Sequence, residues 1–480
     1  MSVGFGFSLP ALAQYGGGGN NPFGQLGPTL DLSFAGTVTD LSDPNGYTLN
    51  TNFIAPEYQV AAQYTIWETN VGLVSKTFGD IITFTRASTG TYFSSAGVLT
   101  SAAINAPRFD YNPSTLVAQG LLIEESRTNS IRNNTAQGAV AGTPGTLPTN
   151  WFAASTATGV ARSVIGTGTE NGIAYIDIRF NGTATSSGQL QAGFEVTNQV
   201  AATVGQTWAS TVYWKLASGS ATGLSNWRVF VNEYSSVPAY LTSQIVLVNT
   251  PTASGLATQR VGGAITTANA SCAYVQPVVG ADVTNGAAID ITLRIGLPQL
   301  ELGAFATSVI PTTTTALTRA ADVASVNTLS PWFNASAGTL YVEWVTAYVT
   351  SGLFPSIASI RTAANTSVNT FEIFQVGTSA ASPNGLVRIA GTDQIARTLT
   401  GVTFGTVAKA ALGFETDNSA FYVNGAVVGP IDTSGSLSGA LMVLMNIGNG
   451  SGAQYINSYV RRVTYYPRRL SASELAAITA

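Results

Sequence analysis

The sequence is constrained most by a succession of short segments rich in β-branched and aromatic residues, separated by turns of Gly, Asn and Ser. Between residues 135 and 318 these segments are IAYIDIRFNG, TWASTVYWKLA, NWRVFVNEY, SQIVLVN, CAYVQPVV and AIDITLRIGLPQLELG. Val, Ile, Thr and aromatic residues favour pleated, half-buried surfaces, whereas Gly, Asn and Ser supply turns. The lengths and spacing are typical of short antiparallel strands, so this region is predicted to form a β-sandwich.

A second succession of the same kind covers residues 319–480 and indicates about seven further strands. It contains Asn424-Gly425, the dipeptide preferred in a tight type I′ hairpin. Near its end, Ser471 is followed three residues later by Glu474, which predicts a helix start with a capping box. These local signals agree with one another and predict a second sandwich.

The N-terminal part of the chain differs from the two sandwiches. Residues 1–79 are rich in Gly, Asn and Pro, with few strand-like segments, and are expected to complete their fold on a partner. Residues 80–134 alternate apolar and polar residues between turns, which predicts a small β module. The predicted fold is therefore all-β: an N-terminal anchor region, the module, and tandem antiparallel sandwiches of jelly-roll type at 135–318 and 319–480. We also expect residues 326–480 to fold as an isolated domain.

The residue types that the chain lacks restrict its chemistry. Only 9% of the 480 residues are charged, there is no His, and the single cysteine is Cys272. The lack of His removes the commonest general base and metal ligand, and one Cys excludes intrachain disulfides and thiolate zinc sites. Cys272 lies in an apolar segment and is expected to be a core residue. The net charge of −4, without a basic block or a long apolar run, predicts neither nucleic-acid binding nor membrane insertion.

One part of this weakly charged chain concentrates opposite charges. Three arginines and three carboxylates lie close together in sequence: Arg86, Arg108, Asp110, Glu124, Glu125 and Arg127. Because guanidinium groups bind carboxylates through paired hydrogen bonds, we interpret the set as a structural clasp that holds two loops and a strand. A ligand site and a catalytic carboxylate pair are the alternatives. Adjacent strand residues point to opposite faces, so Glu124 and Glu125 cannot flank one glycosidic bond.

Aromatic residues of the first sandwich form a second candidate site. Trp208 and Trp214 share one face of a predicted strand with Val212, while Tyr213 lies on the other face. Such aromatics, together with Trp227, are candidates for stacking on a glycan. The alternative is a sandwich core, which Val212 on the same face favours.

Three segments resemble known proteins. FTRASTGTYFSSAGVLTSAAINAPRFDYNPSTLVAQGLLIEESRTN resembles a module common in virion proteins of tailed bacteriophages. Residues 296–323, GLPQLELGAFATSVIPTTTTALTRAADV, resemble the seam that closes a carbohydrate-binding-like sandwich in the same class of proteins. The C-terminal unit, which ends NSYVRRVTYYPRRLSASEL, is similar to the laminin-G/concanavalin-like domains of phage fibres and lectins.

This resemblance implies a virion structural protein, of tail fibre or spike type, that attaches to glycans of the host surface. A capsid decoration protein or head fibre with a purely structural role is the alternative. A glycan depolymerase is less favoured, because the chain shows no regular β-helix repeat. No enzymatic activity, cofactor or metal site is predicted, and the expected location is the virion, assembled in the host cytoplasm.

The expected partners follow from the same resemblance and from the N-terminal region. Residues 1–79 are expected to bind other virion proteins of the tail or capsid, and a host surface polysaccharide is the further expected partner. Because phage fibres and spikes are usually trimers, we expect a homotrimer. Its seam would bury aromatic residues that have no core of their own: Phe23, Phe34, Phe53, Tyr58, Tyr64 and Trp67.

Overall fold

The computed structural model describes residues 30–33, 64–68, 72–330, 332–347, 353–363, 368–376, 381–437, 441–450 and 454–480, with side chains from residue 77 onward. The first elements in chain order are β1 (Leu30–Ser33), β2 (Tyr64–Glu68), β3 (Gly72–Lys76), α1 (Phe78–Ile81), β4 (Thr83–Thr85), β5 (Gly90–Phe93), β6 (Leu99–Ala102), β7 (Phe109–Tyr111), β8 (Ala118–Ile123) and β9 (Arg127–Asn129).

The middle of the chain continues with β10 (Phe152–Ser155), β11 (Val160–Glu170), β12 (Ile173–Thr183), β13 (Gly188–Gly193), β14 (Val200–Ala201), β15 (Thr207–Gly219), β16 (Leu224–Tyr234), β17 (Tyr240–Val248), a 3-10 turn (Leu256–Thr258), β18 (Arg260–Thr266), β19 (Tyr274–Val283) and β20 (Ala288–Leu302). The last part comprises β21 (Leu317–Arg319), β22 (Val323–Val326), β23 (Ala337–Val345), β24 (Ser356–Arg361), β25 (Thr370–Val376), β26 (Ser382–Ile389), β27 (Thr392–Thr398), β28 (Val407–Glu415), β29 (Ala420–Val423), β30 (Ala426–Val427), β31 (Leu444–Ile447), β32 (Ser458–Tyr466) and α2 (Ala472–Thr479).

The middle sandwich follows directly from residue alternation. In β12, Ile176, Ile178 and Phe180 are buried in the core, while the intervening Asp177 and Arg179 lie on the outer face. This is the two-residue period of a strand with one buried face. One sheet has the order β11-β12-β20-β15-β18, and it packs on a second sheet of order β10-β13-β19-β16-β17, with β14 paired to β19.

The C-terminal sandwich is larger. One sheet has the order β27-β26-β25-β24-β31-β22-β4, and the other has the order β3-β2-β1-β32-β23-β28-β29-β30, with β8 also paired to β32. The two sheets share one apolar core, in which the rings of Phe371 and Phe414 stack with their centroids 4.1 Å apart. Every strand pair described in the protein is antiparallel, so the predicted all-β class with tandem antiparallel sandwiches is confirmed.

The predicted small module at 80–134 is not a separate unit, and this part of the domain division is wrong. Its strand β4 pairs with β22 in one sheet of the C-terminal sandwich, and β7 and β8 join β32 in the other. The reason is burial: Phe84, Leu121 and Ile123 are apolar side chains that the short module cannot bury by itself, and they lie in the C-terminal core. Within the module, β5 pairs with β6 and β7 pairs with β8, and of these two pairs only β5–β6 has no further strand partner among the described residues.

The described strands of the N-terminal region belong to the same sandwich. β1 pairs with β32 and β2, and β2 pairs with β3, so these strands extend a sheet of this chain. The aromatic side chains assigned to a trimer seam all lie outside the part of the chain for which side chains are described. The seam therefore stays a prediction.

Three local predictions are confirmed. Asn424 and Gly425 connect β29 to β30 with φ values of 48° and 80°, the left-handed conformations that a type I′ turn requires. Ser471 caps α2: its side chain accepts a hydrogen bond from the Glu474 amide, and the Glu474 carboxylate accepts one from the Ser471 amide. Cys272 is 7% exposed, and burial raises the pKa of its thiol to about 11.

Candidate functional site

Three buried arginines and two buried carboxylates meet where the two sandwiches join. Arg108 Nη2 lies 2.8 Å from Glu124 Oε2 and 2.5 Å from Asp322 Oδ2. Arg86 Nη1 lies 3.0 Å from Asp322 Oδ1. Arg319 approaches Glu124 and Asp322 at 3.5 and 3.7 Å. None of these five side chains is more than 6% exposed, and we call them the buried charge cluster.

Strand ends hold the buried charge cluster in place. Arg86 directly follows β4, Arg108 directly precedes β7, and Glu124 directly follows β8. Arg319 is the last residue of β21, and Asp322 directly precedes β22. Because all of these strands are paired, strand hydrogen bonds fix the backbone positions of the charged residues. The cluster thus joins segments that are about 200 residues apart in sequence.

The electrostatics keep the Glu124 carboxylate of the cluster ionised. Burial alone would raise the pKa of Glu124, but Arg319, Arg108 and two hydrogen bonds from Ser308 lower it to about 2. The Ser308 amide and hydroxyl donate to Glu124 at 2.7 and 2.6 Å. Although burial lowers the pKa of Arg108, Glu124 and Asp322 more than offset this and raise it above its usual value. A buried pair with such neighbours is fully charged at neutral pH.

The six residues predicted to form one clasp are divided among three places. Arg86, Arg108 and Glu124 lie in the buried charge cluster. Glu125 and Arg127 form a separate pair, with Arg127 Nε 2.5 Å from Glu125 Oε1, and the Glu125 amide donates to Asn457 Oδ1 at 2.8 Å. Asp110 pairs with no arginine in the described part of the chain. The structural role of the set stays a prediction, tested below.

Sequence reasoning missed Arg319, Asp322 and Ser308, although a signal existed for the first two. Arg319 and Asp322 are the only charged residues between Glu301 and Glu343. An isolated opposite pair in a long uncharged stretch indicates a specific partner elsewhere. Ser308 carries no such signal, because serine is frequent throughout this chain.

A cavity of about 340 Å³ lies beside the charge cluster. Four parts of the chain form it: the segment from β5 to the residue after β8, the outer face of the middle sandwich, residues 306–309, and residues 457–459. Its wall includes Tyr92, Asp110, Tyr111, Tyr213, Arg260 and Asn457. Tyr92 and Tyr111 are half-buried, so their rings are accessible from the cavity. We call this space the junction cavity.

Asp110 is a buried carboxyl in the wall of the junction cavity. It accepts hydrogen bonds from the amides of Phe93 at 2.6 Å and Tyr111 at 3.0 Å, and from the hydroxyl of Tyr459 at 2.9 Å. Burial outweighs these bonds and raises the pKa of Asp110 to about 6. A carboxyl with a displaced pKa in a cleft marks a candidate functional site.

Asp110→Asn is expected to raise the free energy of unfolding by on the order of 2 kcal/mol above pH 6. The folded state binds a proton more tightly than the unfolded state, so Asp110 lowers the stability of the wild type as pH rises from about 4 to about 6. The amide removes this dependence and keeps the Oδ1 acceptor for the Phe93 and Tyr111 amides, while its NH2 group donates to the Tyr459 hydroxyl in place of accepting from it. Urea denaturation at pH 4 and pH 7 checks this, with the exposed Asp290→Asn as the control. If Asp110→Asn raised the free energy of unfolding equally at pH 4 and pH 7, the raised pKa of Asp110 would be contradicted.

The glycan-stacking interpretation of the four aromatic residues is wrong. Trp208, Trp214 and Trp227 are at most 5% exposed and belong to the core of the middle sandwich. Alternation had fixed which residues share a face but not which face is inside. Tyr213 lies on the opposite face, as predicted, yet it is only 2% exposed. Its ring is covered, and it can contribute only to the wall of the junction cavity.

A second, open groove lies on the outer face of the same sheet. Its charged side chains pair with one another: Arg179 with Asp290 and Arg294 with Asp177, each at 2.8 Å. Arg294 also lies over the ring of Tyr175, 3.6 Å from its centroid. Because each of these charges already has a partner, the groove has fewer free polar groups for a ligand than the junction cavity has.

The described residues contain no group of three or more His, Cys, Asp or Glu side chains placed to hold a metal ion. In the same residues, no helix is both long and apolar enough to cross a membrane.

Comparison with known proteins gives structural likenesses only. No family model and no curated protein sequence matches the chain. Among solved structures, the CBM40 module of a Ruminococcus gnavus sialidase, bound to α2,3-sialyllactose, is 17% identical and matches 31% of this chain and 84% of its own, with a TM-score of 0.24. A tandem CBM22 domain of Paenibacillus barcinonensis Xyn10C is 10% identical and matches 72% of this chain and 99% of its own, with a TM-score of 0.25. Carbohydrate-binding modules are thus among the β-sandwich structures that this chain is similar to.

A further comparison corrects the prediction that the chain is not an enzyme. Trypanosoma rangeli sialidase is 11% identical, with a TM-score of 0.23, and matches 86% of this chain and 95% of its own. The prediction of no enzymatic activity is therefore wrong as stated. Likeness at this level concerns the fold and assigns no reaction to the chain.

Proposed function

We propose that the protein is a glycan-binding structural protein of a tailed-bacteriophage particle, of tail fibre or spike type, and that it attaches to polysaccharide of the host surface. The observation that carries the binding part is the junction cavity. It combines half-buried aromatic rings, which stack on sugar rings, with the carboxyl of Asp110 and the amide of Asn457, which bind hydroxyl groups. Carbohydrate-binding modules among the similar structures agree with this class of ligand.

The particle part of the proposal is supported by the sequence resemblance and by where its motifs lie. The phage-like segment supplies Arg86, Arg108 and Glu124, and the phage-like seam supplies Arg319 and Asp322. The residues that carry the resemblance therefore hold two sandwiches in one fixed arrangement. Domains held in a fixed arrangement suit a component that presents a binding site away from a particle.

The remaining parts of the proposal concern assembly. Residues 1–79 would join other virion proteins and bring three copies of the chain together, placing the protein in the virion. Light scattering of the full-length protein, against the 49.5 kDa chain mass, tests the trimer. Antibody labelling of purified particles tests position: label at the tail supports host attachment, whereas label over the capsid supports the decoration or head-fibre alternative.

Tyr111→Ala is expected to weaken binding of host surface polysaccharide by about tenfold or more, because one sugar–aromatic contact is lost. Tyr240→Ala is the matched control, since Tyr240 is a 60% exposed tyrosine of the same sandwich pair that lies outside the junction cavity. Calorimetric titration of full-length protein with polysaccharide extracted from the host measures both. Wild-type protein that is folded and binds none of this polysaccharide would overturn the proposal, as would equal losses in the two variants.

A further inference from the structure

Two donor groups in the wall of the junction cavity, Arg260 Nε and the Tyr213 hydroxyl, make no hydrogen bond to any of the described residues. Arg260 begins β18, directly opposite Tyr213 on β15, and its guanidinium lies 5.9 Å from the centroid of the Tyr213 ring. Arg260 Nη2 donates to Thr211 Oγ1 at 3.0 Å, but its Nε is buried without a hydrogen-bond partner. The hydroxyl of Tyr213, a residue only 2% exposed, makes no hydrogen bond within the described part of the chain.

Arg260 differs from three other arginines on the strands of the middle sandwich; Arg162 on β11 also lacks a carboxylate partner among the described residues, but it lies outside the wall of the junction cavity. Arg179, Arg228 and Arg294 each pair with an aspartate at 2.8 Å. Arg260 has no carboxylate within ion-pair distance among the described residues. Only 20 of the 480 residues are basic. A guanidinium without a carboxylate partner in a cavity wall is therefore a feature that calls for a functional explanation.

The carboxyl that shares the cavity does not satisfy Arg260. Asp110 takes its hydrogen bonds from Phe93, Tyr111 and Tyr459, and it forms no ion pair with Arg260. A buried donor without a partner costs free energy, which an incoming acceptor recovers. The buried Arg260 Nε and the Tyr213 hydroxyl, which makes no hydrogen bond among the described residues, define a small acceptor site in a cavity that also offers aromatic rings.

We infer that the junction cavity is specific for an acidic sugar, whose carboxylate is bound by Arg260 and the hydroxyl of Tyr213. A planar guanidinium matches a carboxylate through parallel hydrogen bonds, and the phenol adds a further donor. The rings of Tyr92 and Tyr111 would then pack against the apolar face of the sugar. This inference rests on the proposed glycan binding and narrows it to one class of saccharide.

The test uses full-length protein and matched probes. Oligosaccharides that end in glucuronic, galacturonic or sialic acid are each compared with the carboxyl-reduced form, and a sulfated hexose separates carboxylate from sulfate recognition. We expect the wild type to prefer at least one acid over its reduced form by about tenfold or more, the gain from one charged hydrogen bond. Arg260→Gln should abolish this preference, and Tyr213→Phe should reduce it.

Arg179→Gln is the matched control, because it removes an arginine from the same sheet face outside the cavity, and it should keep the full preference. Failure of the acidic-sugar inference and failure of the proposed glycan binding give different results in this test. Equal binding of acid and reduced probes, or a preference that survives Arg260→Gln, overturns the inference while glycan binding stands. Stronger binding of the sulfated hexose than of every carboxylate also overturns it. A folded wild type that binds none of the probes and no host polysaccharide overturns glycan binding itself.

Discussion

Replacing Arg108 with alanine is expected to lower the free energy of unfolding by about 3–5 kcal/mol. The Arg108 side chain is fully buried and lies between Glu124 and Asp322, at 2.8 and 2.5 Å. Removing it leaves two buried carboxylates with less positive charge than they need, and the desolvation cost of those carboxylates is no longer offset. Thermal and urea unfolding of full-length protein measure the loss.

Arg179→Ala gives the matched control for Arg108. Arg179 also binds an aspartate through two hydrogen bonds, to Asp290 at 2.8 and 2.9 Å, but its side chain is 40% exposed and that of Asp290 is 61% exposed. An exposed pair of this kind contributes little to stability, because solvent and salt screen the two charges. If Arg108→Ala fails to fold, Arg108→Lys keeps the positive charge without the planar fork and should show an intermediate loss. An Arg108→Ala protein as stable as the Arg179→Ala protein would refute the structural role of the cluster.

The pKa of Glu124 determines the pH range in which the buried charge cluster stops stabilising the fold. That pKa is lowered to about 2 in the folded protein, so the ion pairs stabilise the fold above the ordinary pKa of a glutamate. This contribution is lost as pH falls from about 4 toward 2. Asp110, with its raised pKa, has the opposite dependence between about 4 and 6.

The sequence predicted where the strands lie better than which strands pair with each other. Apolar side chains alternate with a period of two residues in β12, β16 and β20. This alternation is a local pattern, so the sequence alone reveals it. The pairing of β8 with β32 joins residues more than 300 positions apart, and no local pattern specifies it. The same limit applies to the charges: Arg108 and Glu124 lie in one recognisable stretch, whereas Asp322 is about 200 residues away.

Val212 favoured the core for the face of β15 that carries Trp208 and Trp214, but alternation could not show that the opposite face is covered as well. Trp214 and Tyr213 are correctly placed on opposite faces, yet both faces of β15 are covered, one by the sandwich core and the other by the β5–β6 hairpin. Arg260 was not singled out because its significance is the lack of a partner, which only three-dimensional contacts reveal.

The largest effect is expected from truncation, where the structure reverses the sequence-based prediction. Residues 326–480 are expected to be unfolded or insoluble when expressed alone. The fragment lacks β4, β7, β8 and most of β22, so both sheets of the C-terminal sandwich lose strands. It also loses Ile82, Phe84, Leu121 and Ile123 from the shared core.

Four large apolar side chains of this kind contribute about 6–12 kcal/mol when they are fully buried. That is comparable with the whole stability of a typical domain, about 5–15 kcal/mol, so the remaining strands cannot hold the fold. Residues 129–316 form the matched control, because they contain β10 to β20 and every residue of the middle sandwich core. This fragment is expected to be soluble, with cooperative unfolding by circular dichroism. A 326–480 fragment that is soluble and unfolds cooperatively would show that the strands from residues 80–134 are not needed for the C-terminal core, and that the sandwich is complete without them.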